Sequence, residues 1–201
     1  TQYWWNGYGR YHHRGGDGLM SRKEILCKAI KKIGWGYIFL YFDINLGTID
    51  ILPAFCAYWM FYQSIRDGIS FEEESANLLK PMALLLMYYQ GALWLFQIFT
   101  IPTDYFLITE LGAVISLYFH FQLLTNIANI AGKYSCFQEK NLLHLRTMQT
   151  ILLTILAFTT QFEALYEISL ILVVIQIVIM ICLCIVLRNF KHALEAVSEV
   201  D

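Results

Sequence analysis

Four parts of the chain are long runs of uncharged, mostly apolar residues. Residues 81–103, 111–132 and 168–187 form uncharged runs of 23, 22 and 20 residues. A helix rises about 1.5 Å per residue, so each of these runs can cross about 30 Å of hydrocarbon. A fourth run, 147–162, has 16 uncharged residues, and Leu142 and Leu143 extend it. The pattern predicts transmembrane helices over about 81–101, 104–132, 142–162 and 165–188.

A fifth apolar region, residues 33–65, is interrupted by polar residues near its middle. Ten uncharged residues precede the segment Asp43 to Asp50, and fifteen follow it, with Pro53 near their start. Neither half is long enough to span a bilayer comfortably by itself. The region therefore predicts a broken or re-entrant helical hairpin, with two short spans as the alternative.

Two capping-box signatures mark predicted helix starts. Ser21 with Glu24 begins a helix over 21–33, and Ser70 with Glu73 begins a short acidic helix over 71–79. The first helix has an apolar face and a cationic face over the stretch Arg22 to Lys32, which is typical of a helix lying on a membrane surface. We expect it to anchor the chain to anionic lipid; docking of a membrane or cytoplasmic protein is the alternative.

The first nineteen residues differ from the rest of the chain. They are rich in glycine and aromatic residues and have neither apolar periodicity nor the apolar segment of a signal peptide. We expect residues 1–19 to be a disordered leader or added tail, with Met20 as the physiological start. Residues 20–201 then form one polytopic membrane domain. A natural tail remains the alternative.

The composition agrees with these apolar runs. Of the 201 residues, 58% are apolar and 15% are charged, whereas a soluble domain has about 25% charged residues. This excludes a disordered chain and an ordinary soluble enzyme. The formal net charge of -2 predicts no nucleic-acid partner. We therefore expect an all-α integral membrane protein whose first partner is the lipid bilayer.

The basic residues predict the orientation of the chain. All Lys and Arg residues except Arg10 and Arg14 follow Met20. These twelve lie on one side of the membrane if the N-terminus is inside, and the predicted outer connections carry only acidic charge. Because basic loops stay in the cytoplasm, both termini are expected to be cytoplasmic.

Polar residues within the predicted spans are candidates for function, because lipid offers them no partners. One narrow face of the second predicted span, 104–132, carries Gln122, Asn126 and Asn129. His120 lies in the same span and could relay protons, or it could simply be hydrogen-bonded in the bundle. The polar face is interpreted either as interhelical hydrogen bonding or as a polar path for a solute.

Other candidate chemistry is limited. Glu163 and Glu167 are four residues apart near the predicted outer surface and could bind a cation, or they could remain hydrated. The cysteines show no metal-ligand spacing and are expected to be free thiols; they are Cys27, Cys56, Cys136, Cys182 and Cys184. Motifs of nucleotide-binding proteins, hydrolases and metalloproteases are absent from the sequence, so no cofactor or metal is expected.

The segment from Asp43 to Asp50 is the main candidate site. Its two carboxylates and Asn45 lie at a broken helix within apolar sequence, and Gly47 permits a tight turn. Such broken helices hold the binding sites of many transporters. The alternative is that the acids cap the two half-helices.

The sequence from Phe42 to Pro53, FDINLGTIDILP, resembles an element in a group of uncharacterised small polytopic membrane proteins of Gram-positive bacteria. In that group the element lies in an N-terminal hairpin, and an acid and then a glycine usually follow the proline. Here Ala54 and Cys56 stand near that position. The resemblance implies a bacterial plasma membrane and a polytopic topology, but no reaction.

Taken together, these features favour a non-enzymatic role, either as a transporter-like or solute-binding unit or as a subunit of a membrane complex. Two alternatives stay open. One is a membrane enzyme acting on lipid or peptide with Asp43, Asp50 and His120 as acid and base. The other is a regulatory protein that binds a partner through Arg22 to Lys32.

Overall fold

The computed structural model describes residues 22–41, 45–46, 49–50, 53–99, 106–159 and 166–198. Most of them lie in helices, and two short strands pair with each other. The principal elements in chain order are α1 (Arg22–Tyr41), β1 (Asn45–Leu46), β2 (Ile49–Asp50), α2 (Ala54–Ser64), α3 (Ser70–Glu72), α4 (Leu79–Ile98), α5 (Phe106–Lys133), α6 (Gln138–Thr159) and α7 (Tyr166–Ser198).

Three of the described helices are long and apolar enough to cross a membrane: Ile108–Lys133, Gln138–Thr159 and Ile168–Ala196. They coincide with three of the four predicted spans. The remaining predicted span corresponds to α4, which is not among these three helices; Gln90 and Gln97 lower its hydropathy. Many aliphatic side chains of α7 are exposed, as is expected of a surface in contact with lipid rather than water; they include Ile168, Leu170, Ile171, Val174, Val178, Ile181 and Ile185.

The first helix does not end where the sequence indicated. The predicted surface helix over 21–33 and the first half of the hairpin form one continuous helix, α1, which ends at Tyr41. Its apolar stripe does not stop at Ile33, because Gly36 and Tyr37 continue it and are also buried. This face packs against α2 and α7, so protein rather than lipid covers it.

A short antiparallel ladder connects the two helices of the hairpin. Asn45 pairs with Asp50 and Leu46 pairs with Ile49. The second helix, α2, begins directly after Pro53, which is its N-cap residue and has an extended backbone with φ -65° and ψ 136°. Helix α2 packs against both α1 and α4. Two helices that pack against each other are therefore present in this region, with strands at the position of the predicted break.

The predicted capping box at Ser70 is wrong. Helix α2 continues directly into a π-helical turn, Ile65–Ile69, and then into α3. The Ser70 hydroxyl donates to the carbonyl oxygen of Arg66, 3.4 Å away, and makes no cap. The helix is interrupted only at Glu73, whose backbone is extended, and a 3₁₀ turn, Glu74–Leu78, leads into α4. The chain was already helical at Ser70, so no helix start was available to cap.

The register of α1 against α7 is defined by two sulfur contacts. The Cys27 thiol lies 3.9 Å from the carbonyl oxygen of Lys191, and the Cys184 thiol lies 3.9 Å from that of Gly34. The two helices are therefore antiparallel with a constant offset. This offset places Lys31 level with Leu187 and Tyr41 close to the level of Gln176.

One end of the bundle collects the basic residues, and we call it the basic end. Arg22 pairs with Glu72 at 2.6 Å, and Lys133 pairs with Glu73 at 2.9 Å. These pairs bring the start of α1, the linker before α4 and the end of α5 together. In the described helices, no Lys or Arg lies within the last two turns at the opposite end.

Candidate functional site

His120 lies in the middle of α5 and is 3% exposed. Its Nδ1 atom is 3.3 Å from the hydroxyl of Tyr37 on α1, and its Nε2 atom is 3.4 Å from the hydroxyl of Tyr58 on α2. The Tyr58 hydroxyl also lies 2.8 Å from the hydroxyl of Ser116. Each ring nitrogen of a neutral imidazole therefore faces a group that can both donate and accept a hydrogen bond.

Four aromatic rings surround His120. The ring centroids of Phe119, Tyr37, Phe61 and Tyr58 lie 5.2, 5.4, 5.6 and 5.9 Å from that of the imidazole. We call these five residues the histidine cluster. Among the described residues, no carboxylate or basic group is hydrogen-bonded to the imidazole. The cluster joins α1, α2 and α5 through these hydrogen bonds and ring contacts.

A second polar cluster lies closer to the basic end. The Asn126 amide oxygen accepts hydrogen bonds from Ser75 and from Gln122, each at 2.9 Å. Ser75 also lies 3.3 Å from Glu73, which is the partner of Lys133. These contacts hold the 3₁₀ turn against α5. The polar face predicted on α5 thus anchors the linker that precedes α4.

The structure does not bring all the predicted polar residues of α5 together. His120 and Gln122 project about 200° apart around the helix and belong to different clusters. Asn129 is exposed, so it joins neither of them. The predicted polar site is therefore divided within α5.

The acidic candidates lie largely outside the described part of the structure. Asp43 and Glu163 are not described at all, and for Asp50 and Glu167 only the backbone is described. The pairing of Asn45 with Asp50 places two of the predicted site residues opposite each other in the ladder.

Sequence reasoning missed a third polar cluster, formed by Tyr41, Gln149 and Gln176. The Gln149 amide nitrogen donates to the Tyr41 hydroxyl at 3.0 Å, and Gln176 approaches the same hydroxyl. Neither amide atom of Gln176 has a well-aligned partner among the described residues, although the side chain is only 4% exposed. The sequence did contain a signal for this cluster, because Gln176 is the only amide side chain in the uncharged run 168–187.

Two grooves open on the sides of the bundle. The α1–α7 groove has a volume of about 600 Å³ and extends from Ile38 to Lys191 and His192. The α2–α4 groove has a volume of about 620 Å³ and is lined mainly by aromatic and aliphatic side chains, including Phe55, Trp59 and Trp94. Neither groove is lined by residues of the three polar clusters.

The structure offers little for metal or thiol chemistry. Within the described ranges, no three His, Cys, Asp or Glu side chains are grouped as a metal site. The five cysteines are free, which confirms the prediction of free thiols. Cys136 lies in the connection between α5 and α6, where burial raises the pKa of its thiol. A raised pKa keeps this thiol protonated and weakly reactive.

Comparisons with known proteins give no match, whether with family models, with curated proteins or with solved structures. The resemblance of residues 42–53 to small polytopic membrane proteins therefore stays a prediction.

Removing the Tyr58 hydroxyl tests the polar part of the histidine cluster. We expect Tyr58→Phe to lower the free energy of unfolding by about 1–2 kcal/mol, because Ser116 and His120 lose a buried partner. The matched control is Tyr88→Phe, since the Tyr88 side chain is 70% exposed. Thermal denaturation in a mild detergent measures both variants. Equal stabilities of the two variants would contradict the hydrogen-bonded arrangement.

Proposed function

We propose that the protein is a non-enzymatic, solute-binding or transporter-like component of a bacterial cytoplasmic membrane. In this proposal α4 to α7 are four full spans, and α1 and α2 form a re-entrant hairpin. Helix α4 has 20 residues and so reaches about 30 Å, which is enough to cross the hydrocarbon core. The basic end, with the N- and C-terminal ends of the chain, faces the cytoplasm, in agreement with the retention of basic segments on that side.

The register between α1 and α7 supports the re-entrant hairpin. Lys31 is level with Leu187, next to Arg188, where the apolar run of α7 ends. If this level is the headgroup region, Tyr41 lies about 15 Å deeper. The hydrocarbon core is about 30 Å thick, so α1 ends near the middle of the membrane. Asp43 follows Tyr41 by two residues.

Gln176 carries the proposal for a solute site. It lies in the most apolar of the three candidate spans, and its buried amide lacks a well-aligned partner among the described residues. A polar group left in this state within a membrane protein is costly. The free-energy cost of burying this amide is offset if the amide forms hydrogen bonds with a solute that binds beside it.

The neighbours of Gln176 indicate the class of ligand. Tyr41 and Gln149 supply further neutral hydrogen-bonding groups from α1 and α6. The segment that connects α1 to α2 carries the carboxylates of Asp43 and Asp50. Interrupted helices with acids at membrane depth are typical of ion and substrate sites. We infer a small polar solute, cationic if the acids are ionised.

The alternative functions have less support. An enzyme would need two titratable groups facing one water-accessible cavity, and His120 contacts tyrosines instead. A regulatory role would need a free cationic face on α1. Arg22 is paired with Glu72, and Lys32 donates to Gln63, so part of this face is already engaged within the chain.

The proposal predicts a ligand-dependent thermal shift that three substitutions abolish. The purified protein is screened in detergent against monovalent cations, small amines and amino acids. At a concentration of 100 times its Kd, a ligand of the native state adds about 2.7 kcal/mol of stability. We expect at least one member of the panel to stabilise the protein, and we expect Asp43→Asn, Asp50→Asn and Gln176→Leu to lose the effect.

Membrane insertion and ligand-free stability serve as controls. Gln176→Leu removes a poorly paired amide, so its ligand-free stability should be unchanged or higher. Gln149→Leu should be less stable, because the Tyr41 hydroxyl loses its donor. The proposal is wrong if no compound stabilises the wild type, or if the three variants respond as the wild type does.

A further inference from the structure

The α1–α7 groove has an apolar part and a cationic part. Ile38 of α1 and Ile181 and Ile185 of α7 line the apolar part. Lys31, Arg188 and Lys191 lie toward the other end. Lys31 and Ile38 are seven residues apart on α1, so they are separated by about two helical turns, or about 10 Å, along the helix. Gly34 lies between them and is level with Cys184 of α7. The groove thus passes from charged to aliphatic walls along the axes of α1 and α7.

Two of these cations are available to a ligand. Lys31 and Arg188 are both exposed, and in the described part of the chain neither forms a hydrogen bond or an ion pair. Lys191 and His192, by contrast, both contact Glu195, at 2.9 and 3.1 Å. The cationic part of the groove therefore has a local excess of positive charge, which favours the binding of a phosphate group.

Gly34 keeps the floor of the groove open. A Cβ atom placed on Gly34 would have no neighbour within 4 Å, whereas one on Gly36 would lie 2.6 Å from the Phe61 ring. A glycine in the middle of a helix weakens it relative to alanine. Close packing explains Gly36, but it does not explain Gly34. The absence of a side chain at position 34 leaves room for a ligand between the two helices.

Trp35 lies beside Gly34 at the same groove and is 49% exposed. Tryptophan is enriched at the level of lipid headgroups, where its ring contacts chains and its N–H contacts polar groups. Its position between the cationic and the aliphatic residues matches the boundary between a headgroup and an acyl chain.

We propose that the α1–α7 groove binds one anionic phospholipid. The phosphate lies against Lys31 and Arg188, and one acyl chain runs over Gly34 between Ile38 and Ile181. This inference goes beyond the proposed function, because it uses none of the residues of the solute site. Basic residues at the cytoplasmic surface attract anionic lipid, and here an apolar groove leads away from them.

The test compares two lipids that share acyl chains but differ in charge. The full chain in detergent micelles is titrated with dioleoyl phosphatidylglycerol, dioleoyl phosphatidylcholine or inorganic phosphate. Bound lipid is counted by native mass spectrometry, and affinity is taken from thermal shifts. We expect one phosphatidylglycerol to bind at least tenfold more tightly than phosphatidylcholine, and we expect inorganic phosphate to give no shift.

Charge variants separate this groove from general attraction to the basic end. The double variant Lys31→Gln with Arg188→Gln should bind phosphatidylglycerol about thirtyfold more weakly, as expected for two basic side chains near a lipid phosphate. Lys80→Gln with Lys140→Gln removes the same charge away from the groove and should change the affinity less than twofold.

A groove-filling variant tests the acyl-chain part. Gly34→Leu should abolish retention of phosphatidylglycerol while lipid-free stability stays equal or rises, and Gly34→Ala should retain the lipid. The proposal is overturned if the two lipids bind equally, if inorganic phosphate alone accounts for the shift, if both double variants weaken binding equally, or if Gly34→Leu binds as the wild type does. None of these outcomes depends on the solute panel.

Discussion

His120→Ala will destabilise the protein by about 3 kcal/mol, measured as a loss of free energy of unfolding in a mild detergent. The substitution removes a buried ring that contacts four aromatic rings from three helices. Truncation of a buried ring leaves a cavity that the neighbours fill only partly. The Tyr37 hydroxyl also loses its partner at His120 Nδ1, which adds the cost of a buried polar group.

His144→Ala is the matched control, because His144 lies on the exposed side of α6. Its cost should stay within about 0.5 kcal/mol, as is usual for surface positions. If His120→Ala is as stable as this control, the histidine cluster does not hold α1, α2 and α5 together. If ligand binding is lost in His120→Ala at full stability, His120 has a role beyond packing.

Alanine at two neighbouring glycines of α1 should have opposite effects on stability. Gly36→Ala places its Cβ 2.6 Å from the ring of Phe61. That ring is fully buried and packs against Tyr37 and Tyr58 with centroid distances of 5.0 and 5.9 Å, so it has no space to move aside. Overpacking of this kind costs about 1–3 kcal/mol.

Gly34→Ala should instead raise stability by about 0.5–1 kcal/mol, because the new methyl group meets no neighbour and the helix gains propensity. Both variants replace a glycine by alanine in α1, and the two positions are only two residues apart. The difference between their free energies of unfolding therefore reports the packing of α1 against α2. Equal effects of the two substitutions would show that Gly36 does not contact Phe61 closely.

The apolar runs of the sequence predicted the long helices well. Helices α5 and α7 contain the uncharged runs of 22 and 20 residues, because a membrane-crossing helix requires a long apolar segment. Helix α6 contains most of the shorter run, 147–162, together with Leu142 and Leu143. The sequence also predicted that the basic residues group at one end of the bundle. Successive spans run in opposite directions, so every second connection lies at the same end, and the basic residues lie in those connections. The free state of the five cysteines is a further confirmed prediction.

Local signals were less dependable than these long runs. The apparent capping box at Ser70 did not begin a helix, because α2 already continued through a π-helical turn to that point. The predicted end of the first helix near Ile33 was also wrong, since contacts with α2 and α7 stabilise the segment up to Tyr41. In both cases tertiary contacts outweighed a short signature.

The polar residues show why a site is harder to predict than a helix. Helical periodicity placed Gln122 and Asn126 on one face of α5, and in the structure the Gln122 side chain donates a hydrogen bond to the Asn126 side chain. It could not indicate that Ser75 would contact them, or that His120 would face α1 and α2. Gln176 escaped notice because a single amide in a long apolar run has no periodic partner in its own helix.

By itself, the sequence determined the class of protein, the long helices and the asymmetry of charge, because these depend on composition and on order along the chain. Only the tertiary structure decided which polar groups meet, where α1 ends, and that Gly34 faces open space while Gly36 is packed against Phe61. These features depend on the relative rotation and register of helices far apart in sequence. Helical periodicity defines the faces of each helix, but side-chain packing selects the neighbour of each face.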